Sequence, residues 1–357
     1  MPSSVMPTSS PSGGPEPTAA ISTVGLRKSY GDNVVLDGID LRIPAGSVFA
    51  LLGPNGAGKT TAVKILSTLI TADGGQSQVA GHDVVADPQA VRAAIGVTGQ
   101  FSAVDGLITG EENMLLMADL HHLTRAEGRR VTAELLERFD LVEAAKKPAS
   151  TYSGGMKRRL DIAMTLVGAP RIIFLDEPTT GLDPRSRHNM WQIIRELVSD
   201  GVTVFLTTQY LEEADELADR IAVLNNGKIA AEGTAEELKR LIPGGHVRLR
   251  FTDPAAYQSA AAVLREVTLP HARLRSRGGT PIDEALALQI PSDGTQRELR
   301  SLLDWLDSAG IEADELTVHT PDLDDVFFAL TGPTTATGTA PTTVTGTVPN
   351  QPKENAR

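Results

Sequence analysis

Short, nearly unbroken apolar runs alternate with stretches of helical spacing through most of the chain. Ser47-Val48-Phe49-Ala50-Leu51-Leu52 is apolar almost throughout and ends at a glycine, and Ala62-Val63-Lys64-Ile65-Leu66 after it can begin a helix. Arg171-Ile172-Ile173-Phe174-Leu175 and Val202-Thr203-Val204-Phe205-Leu206 repeat the strand pattern. Such strands, separated by helices, predict a parallel sheet covered on both faces and therefore an α/β fold. Residues 106–141 place Leu116, Leu120 and Leu123 at helical intervals and predict a helical insertion.

The pattern changes at Ile242-Pro243-Gly244-Gly245, which predicts a linker. Beyond it, Val247-Arg248-Leu249-Arg250-Phe251 alternates as a strand does, and a helix is expected from Pro254 to about residue 267. A further strand at 285–290 and a helix at 295–309 complete a small α+β domain without chemistry of its own. The expected division is a disordered segment at 1–19, a main domain at 20–241, the accessory domain at 242–332 and a disordered tail at 333–357. Both terminal segments are rich in Pro, Thr, Gly and other small residues with little to bury.

Composition narrows the partners. The 357 residues are 41% hydrophobic and 22% charged, enough to bury a core. Only 4% are aromatic, which disfavours base-stacking platforms. A formal net charge of -12 argues against nucleic acid as the main partner, since that binding draws on Lys and Arg. With no cysteine, disulfides and thiolate metal sites are excluded. No stretch approaches the roughly 18 consecutive apolar residues of a spanning helix, and no basic, apolar leader opens the sequence, so a soluble chain inside the cell is expected.

The run Gly53-Pro54-Asn55-Gly56-Ala57-Gly58-Lys59-Thr60 matches the P-loop pattern GxxxxGKS/T. Its glycines let backbone N–H groups curl around phosphate oxygens, and the following helix adds its positive end. Lys59 would reach the β- and γ-phosphates and Thr60 would ligate Mg²⁺. Ile172-Ile173-Phe174-Leu175-Asp176-Glu177 is an apolar strand ending in two carboxylates. Asp176 is placed to hold Mg²⁺, directly or through water, and Glu177 to polarise an attacking water. A helix N-terminus decorated with acids would give the same two letters.

Tyr152-Ser153-Gly154-Gly155-Met156 resembles the ABC signature, commonly LSGGQ, with Tyr152 and Met156 replacing its first and last letters. A Ser hydroxyl and Gly amides at a helix start form a second anion nest. Other landmarks follow in order. Gln100 resembles the Q-loop glutamine, which contacts the metal and couples to the membrane partner. Gly181-Leu182-Asp183-Pro184 resembles the D-loop. Tyr30 stands where the family places an aromatic that stacks on adenine, although a core tyrosine would satisfy the same position. The resemblance implies a P-loop ABC ATPase core with a small N-terminal antiparallel β subdomain and a helical subdomain. Its nucleotide-binding residues would be Tyr30, Gly53, Pro54, Asn55, Gly56, Ala57, Gly58, Lys59, Thr60, Thr61, Gln100, Ser153, Gly154, Gly155 and Asp183, with Mg²⁺ at Thr60, Gln100 and Asp176.

One departure stands out. Leu206-Thr207-Thr208-Gln209-Tyr210-Leu211 has Gln209 where the family usually has a switch histidine. An amide can donate to the γ-phosphate but cannot become a cation or carry a proton. Hydrolysis is expected to persist, with Glu177 and Gln209 as the catalytic pair and Glu177 carrying more of the burden.

Gln209-Tyr210-Leu211-Glu212-Glu213-Ala214-Asp215, the loop Gln100-Phe101-Ser102-Ala103-Val104-Asp105 and Leu323-Asp324-Asp325-Val326-Phe327-Phe328-Ala329-Leu330 are similar to the daunorubicin/doxorubicin-resistance ATP-binding subunits. The last run is also spaced as an amphipathic helix packing Leu323, Val326, Phe327 and Leu330. Membership implies an ATPase that energises export of drugs or amphipathic natural products and confers antibiotic resistance. It also implies a separate polytopic membrane permease, a second copy forming an ATP-sandwich dimer, ATP and Mg²⁺ as ligands, and a peripheral place on the cytoplasmic face of the cell membrane. An importer ATPase, or an ABC ATPase acting on the ribosome or nucleic acid, is the alternative.

Overall fold

The computed structural model describes residues 19–99, 103–241, 245–266, 286–292, 296–308, 310–319 and 322–331. The chain begins with β1 (Ala19–Tyr30), β2 (Asn33–Pro44) and β3 (Val48–Leu52), then α1 (Lys59–Leu66), β4 (Gly74–Val79), β5 (His82–Asp83), α2 (Pro88–Ala94) and β6 (Ile95–Thr98). Next come α3 (Gly110–Leu120), α4 (Arg125–Arg138), α5 (Gly154–Leu166), β7 (Ile172–Asp176), α6 (Pro184–Ser199), β8 (Thr203–Thr208) and α7 (Leu211–Leu217). The remainder is β9 (Arg220–Asn225), β10 (Lys228–Gly233), α8 (Ala235–Arg240), β11 (His246–Arg250), α9 (Pro254–Glu266), β12 (Ala287–Pro291), α10 (Gln296–Ser308), β13 (Glu315–His319) and α11 (Leu323–Thr331).

The apolar runs become the interior of a six-stranded sheet of order β10-β9-β3-β8-β7-β6. Every residue of β3, β7 and β8 is buried, because both faces are covered. Phe49, Phe174 and Phe205 point to one face and stack in a row with centroids 5.5 and 5.4 Å apart. They join Ile21, Leu26, Ile39, Ile43 and α1 in a core under the four-stranded antiparallel sheet β2-β1-β4-β5. The alternate residues Ala50, Leu52, Ile173, Leu175, Val204 and Leu206 face the opposite core, against the helices.

The helical insertion is α3 and α4, each started by a capping box, Thr109 with Glu112 and Thr124 with Glu127. Of the three leucines that give its period, only Leu123 packs against the core. Met114 and Ala118 are buried, whereas Leu116 and Leu120 are 47% and 63% exposed. Tyr152, in place of the signature's usual leucine, is buried there, and its hydroxyl donates to Ala144 O at 2.7 Å.

The C-terminal residues form a three-stranded antiparallel sheet, β12-β11-β13, packed on α9 and α10 around Val247, Leu249, Phe251, Ala260, Leu288, Ile290 and Leu306. Helix α11 does not belong to that core. Leu323 and Val326 are buried in the main domain with Phe327 and Leu330 packed alongside, and Asn225 Nδ2 donates to Leu330 O at 2.9 Å. The expected disordered segments and most of the linker lie outside the described residues, save that Ala19 is already in β1.

Candidate functional site

Parallel pairing aligns the C-terminal ends of the central strands. Leu52 of β3 pairs with Thr208 of β8, Asp176 of β7 with Thr207, and Thr98 of β6 with Leu175. The Gly-rich loop, Gln209, Glu177 and Gly99 therefore leave the same edge of the sheet, where α/β folds bind their ligands. Gln100 itself lies outside the described residues.

The loop from Gly53 to Gly58 closes on itself, with Ala57 N–H donating to Pro54 O at 3.2 Å. Two of its glycines are required by contact. A Cβ on Gly53 would lie 2.5 Å from Leu224 O. Gly58 has φ 111°, and its Cβ would meet Val35 O and Leu36 Cδ2 at 2.8 Å. Gly58 is also the residue before α1, so the first N–H groups of that helix open into the loop. Asn55 and Gly56 are exposed, Pro54, Thr60 and Thr61 half-buried, and Ala57 buried.

Lys59 is buried, and its ammonium donates to Gly53 O at 2.8 Å and Pro54 O at 3.2 Å. Its Nζ lies 3.6 Å from Glu177 Oε1. Burial lowers its pKa below the usual lysine value, while the charges of Glu177 and Asp176 pull it back up. Thr60 Oγ1 donates to Asp176 Oδ2 at 2.9 Å, and Asp176 also accepts from Thr207 Oγ1. A hydroxyl and a buried carboxylate in contact beside an N–H-lined cradle are hard oxygen donors of the kind Mg²⁺ takes in company with substrate phosphates. The residues thus fit that ion, and Asp176 and Glu177 sit at a strand end rather than a helix N-terminus.

Glu177 has φ 49°, a left-handed conformation uncommon outside glycine. Its N–H is held by Thr207, at 3.1 Å from both the carbonyl and the hydroxyl oxygen. Thr207 escaped the sequence reading. A pair of threonines ending an apolar strand beside the phosphate loop is the signal that could have found it.

The signature forms a separate cluster. Ser153 caps α5, accepting from Met156 N–H at 3.2 Å, and Ser153 and Gly154 are exposed. Asp183 caps α6, bonding Ser186 N–H at 2.9 Å and the Ser186 hydroxyl at 2.6 Å. A Cβ on Gly155 would lie 2.9 Å from Ser186 Oγ, so the start of α5 and the first turn of α6 that Asp183 caps are in close contact within one chain. Among the described residues, no hydrogen bond or ion pair joins Ser153–Gly155 to the P-loop. Tyr30 ends β1 with 51% exposure, so it is not a core tyrosine, and the Lys28 ammonium lies 5.5 Å from its ring centre. Gln209 is half-buried, one residue beyond β8.

Glu213 of α7, also unforeseen, is wholly buried and accepts from Trp191 Nε1 of α6 at 3.4 Å. Its Oε2 and the Thr179 hydroxyl are buried without a hydrogen bond of good geometry. Burial raises its pKa, opposed by Thr208, Thr179, Trp191 and the charge on Arg187. It ties the helix after Gln209 to the helix after Asp183.

The profile of the family described as ABC transporter matches residues 36–180. The Daunorubicin resistance ATP-binding protein DrrA3 of Streptomyces coeruleorubidus is 47% identical over 313 residues, 88% of this chain and 96% of that one. The Daunorubicin/doxorubicin resistance ATP-binding protein DrrA of Streptomyces peucetius is 46% identical over 317 residues, 89% of this chain and 94% of that one. Among solved structures, an ATP binding subunit of an ABC transporter superposes with a TM-score of 0.57 at 28% identity, covering 63% of this chain and 93% of that one. A dimeric post-hydrolysis state of an ATP-binding cassette bound to ADP and Pi gives 0.55 at 26% identity, covering 60% and 98%. Carrying the Gly-rich loop, the paired carboxylates and the Ser-Gly-Gly run between them, the chain is an ATP-binding ATPase that belongs to the ABC transporter family, among the daunorubicin/doxorubicin resistance ATP-binding proteins.

Proposed function

We propose that this ATPase energises export of drugs or amphipathic natural products through a separate polytopic membrane subunit, from the cytoplasmic face of the membrane. One observation carries the reading. Identity to the drug-resistance proteins runs over 313 residues, well past the 63% of the chain that a cassette structure covers. Among the described residues no helix is long and apolar enough to cross a membrane.

In this mechanism the γ-phosphate enters the cradle between Gly53 and Thr60. Its oxygens take over Lys59 from Gly53 O and Pro54 O. Thr60 and Asp176 would hold Mg²⁺, which supplies charge neutralisation to the β- and γ-phosphate oxygens. Glu177 takes a proton from the attacking water as its oxygen bonds the γ-phosphorus. The bond to the bridging oxygen breaks to release ADP and inorganic phosphate, and the Gln209 amide donates to the γ-phosphate oxygens. Tyr30, exposed at the end of β1, offers a face to the adenine. Ser153 and Gly154, both exposed, and the half-buried Gly155 would close over the P-loop of a second copy in a two-fold arrangement.

The test is a pull-down of tagged Glu177→Gln chain from detergent-solubilised native membranes with ATP and Mg²⁺. A polytopic membrane protein at comparable abundance is expected. Ribosomes or nucleic acid without a membrane protein would overturn the export reading and leave the ATPase chemistry standing.

A further inference from the structure

Two nitrogens of one side chain hold the backbone on either side of Glu177, and the third reaches the neighbouring strand end. Arg158, on the signature helix α5, donates from Nε to Pro178 O at 3.0 Å and from an Nη to Asp176 O at 3.1 Å. These are the carbonyls on either side of Glu177. The other Nη donates to Gly99 O, at the end of β6, at 3.0 Å. Asp161, one turn along α5, lies 3.3 Å from the guanidinium and accepts the Ala103 N–H at 3.0 Å. The two side chains are 12% and 2% exposed.

A rigid planar fork of donors does what a flexible ammonium cannot, satisfying several fixed carbonyls at once. Glu177 has a left-handed backbone, its N–H held by Thr207 and its carbonyl accepting the Thr180 N–H at 3.3 Å, and Arg158 fixes the two carbonyls that flank it. The arrangement also has a cost. Burial disfavours the charged guanidinium, offset by Asp161, Asp176 and Glu213. A buried cation in a helix that could carry a smaller polar residue calls for a role, and its three backbone contacts supply one.

We infer that Arg158 is a positioning residue for hydrolysis: it fixes the backbone on both sides of Glu177 and joins that segment rigidly to the helix that carries Ser153-Gly154-Gly155. Asp161 holds the fork in place and anchors Ala103 to the same helix. The inference rests on Glu177 acting as the base.

A double-mutant cycle in the full-length chain tests it, reading single-turnover hydrolysis, KM for ATP and thermal melting. Arg158→Met is expected to slow the native enzyme by about 10- to 100-fold, since misplacing a catalytic group by about an ångström costs that much. KM should stay within about threefold, because the phosphate cradle is untouched. In the Glu177→Gln background, Arg158→Met should change the residual rate by less than about twofold, because there is no base left to misplace. Arg158→Lys, which keeps the charge and loses the fork, should fall between the native and Arg158→Met rates and serves if Arg158→Met fails to fold. Native turnover in either Arg158 variant, or an equal slowing in both backgrounds, overturns the inference. Full turnover in Glu177→Gln alone overturns the assignment of the base instead, so the two failures read differently.

Discussion

Lys59 Nζ stands 3.6 Å from Glu177 Oε1, with the two side chains 4% and 12% exposed. The cation that would meet the γ-phosphate and the carboxylate that would activate water thus hold each other in place at one sheet edge. Two variants should separate their roles. Glu177→Gln is expected to bind ATP and lower turnover by about 10²- to 10⁴-fold, the range for a general base. Lys59→Met is expected to weaken ATP binding by about tenfold or more, losing a charge-assisted contact. Nucleotide titration beside steady-state kinetics checks both, and a reversed pattern would reassign them.

Gln209 cannot titrate, so the native pH–rate profile should lack a limb from this position. Gln209→His places an imidazole, with a pKa of about 6.5 when unperturbed, one residue past β8. The variant is expected to gain a new inflection between about pH 6 and 7 in kcat. Superimposable profiles would remove Gln209 from the reacting groups.

The buried Glu213 couples stability to pH. Its folded-state pKa is raised by burial, with Arg187 from α6 and Arg158 from α5 the cations facing it. A raised carboxylate contributes its stability in full below the unfolded value of 4.5 and loses it as pH climbs through the folded value. Relative to the native chain, Glu213→Gln should therefore gain in melting temperature as pH rises above that lower value. A gap that stays constant from pH 5 to 8 would show that Glu213 does not titrate in this window.

Helix α11 should report on the main domain. Leu323 is buried in that core, and Leu323→Ala is expected to cost about 2–5 kcal/mol, the usual range for a buried leucine. Phe328, 70% exposed on the same helix, should change stability by no more than about 0.5 kcal/mol when replaced by alanine. Denaturant melts resolve the two. A Leu323→Ala cost as small as that of Phe328→Ala would detach the helix from the core.

Much was legible in one dimension. The strand runs ending at Leu52, Asp176 and Leu206, the P-loop pattern and the Ser-Gly-Gly run all depend on residues adjacent in sequence. A buried strand needs continuous apolar side chains, and a phosphate cradle needs closely spaced glycines. Their order along the chain is itself a family property. Even the C-terminal strand at 247–251 declared itself through alternation.

What only the tertiary structure decided involves groups far apart in the chain. Leu116, Leu120 and Leu123 gave the helical period of the insertion, but only the packing decides that Met114 and Ala118 are buried, Leu123 lies against the core and Leu116 and Leu120 stay exposed. The motif at Leu323 had a helical period, yet nothing local says that it packs beside β9 rather than on the nearby three-stranded sheet. Thr207, Arg158 and Glu213 reach Glu177, its flanking carbonyls and Trp191 across separations of 18 to 30 residues. Such contacts arise only when strand pairing brings β7 and β8 into register and α5 and α6 pack over them. Sequence by itself determined the chemistry available at the sheet edge; the packing determined which side chains hold that chemistry in position, because burial and hydrogen-bond geometry are properties of neighbours in space.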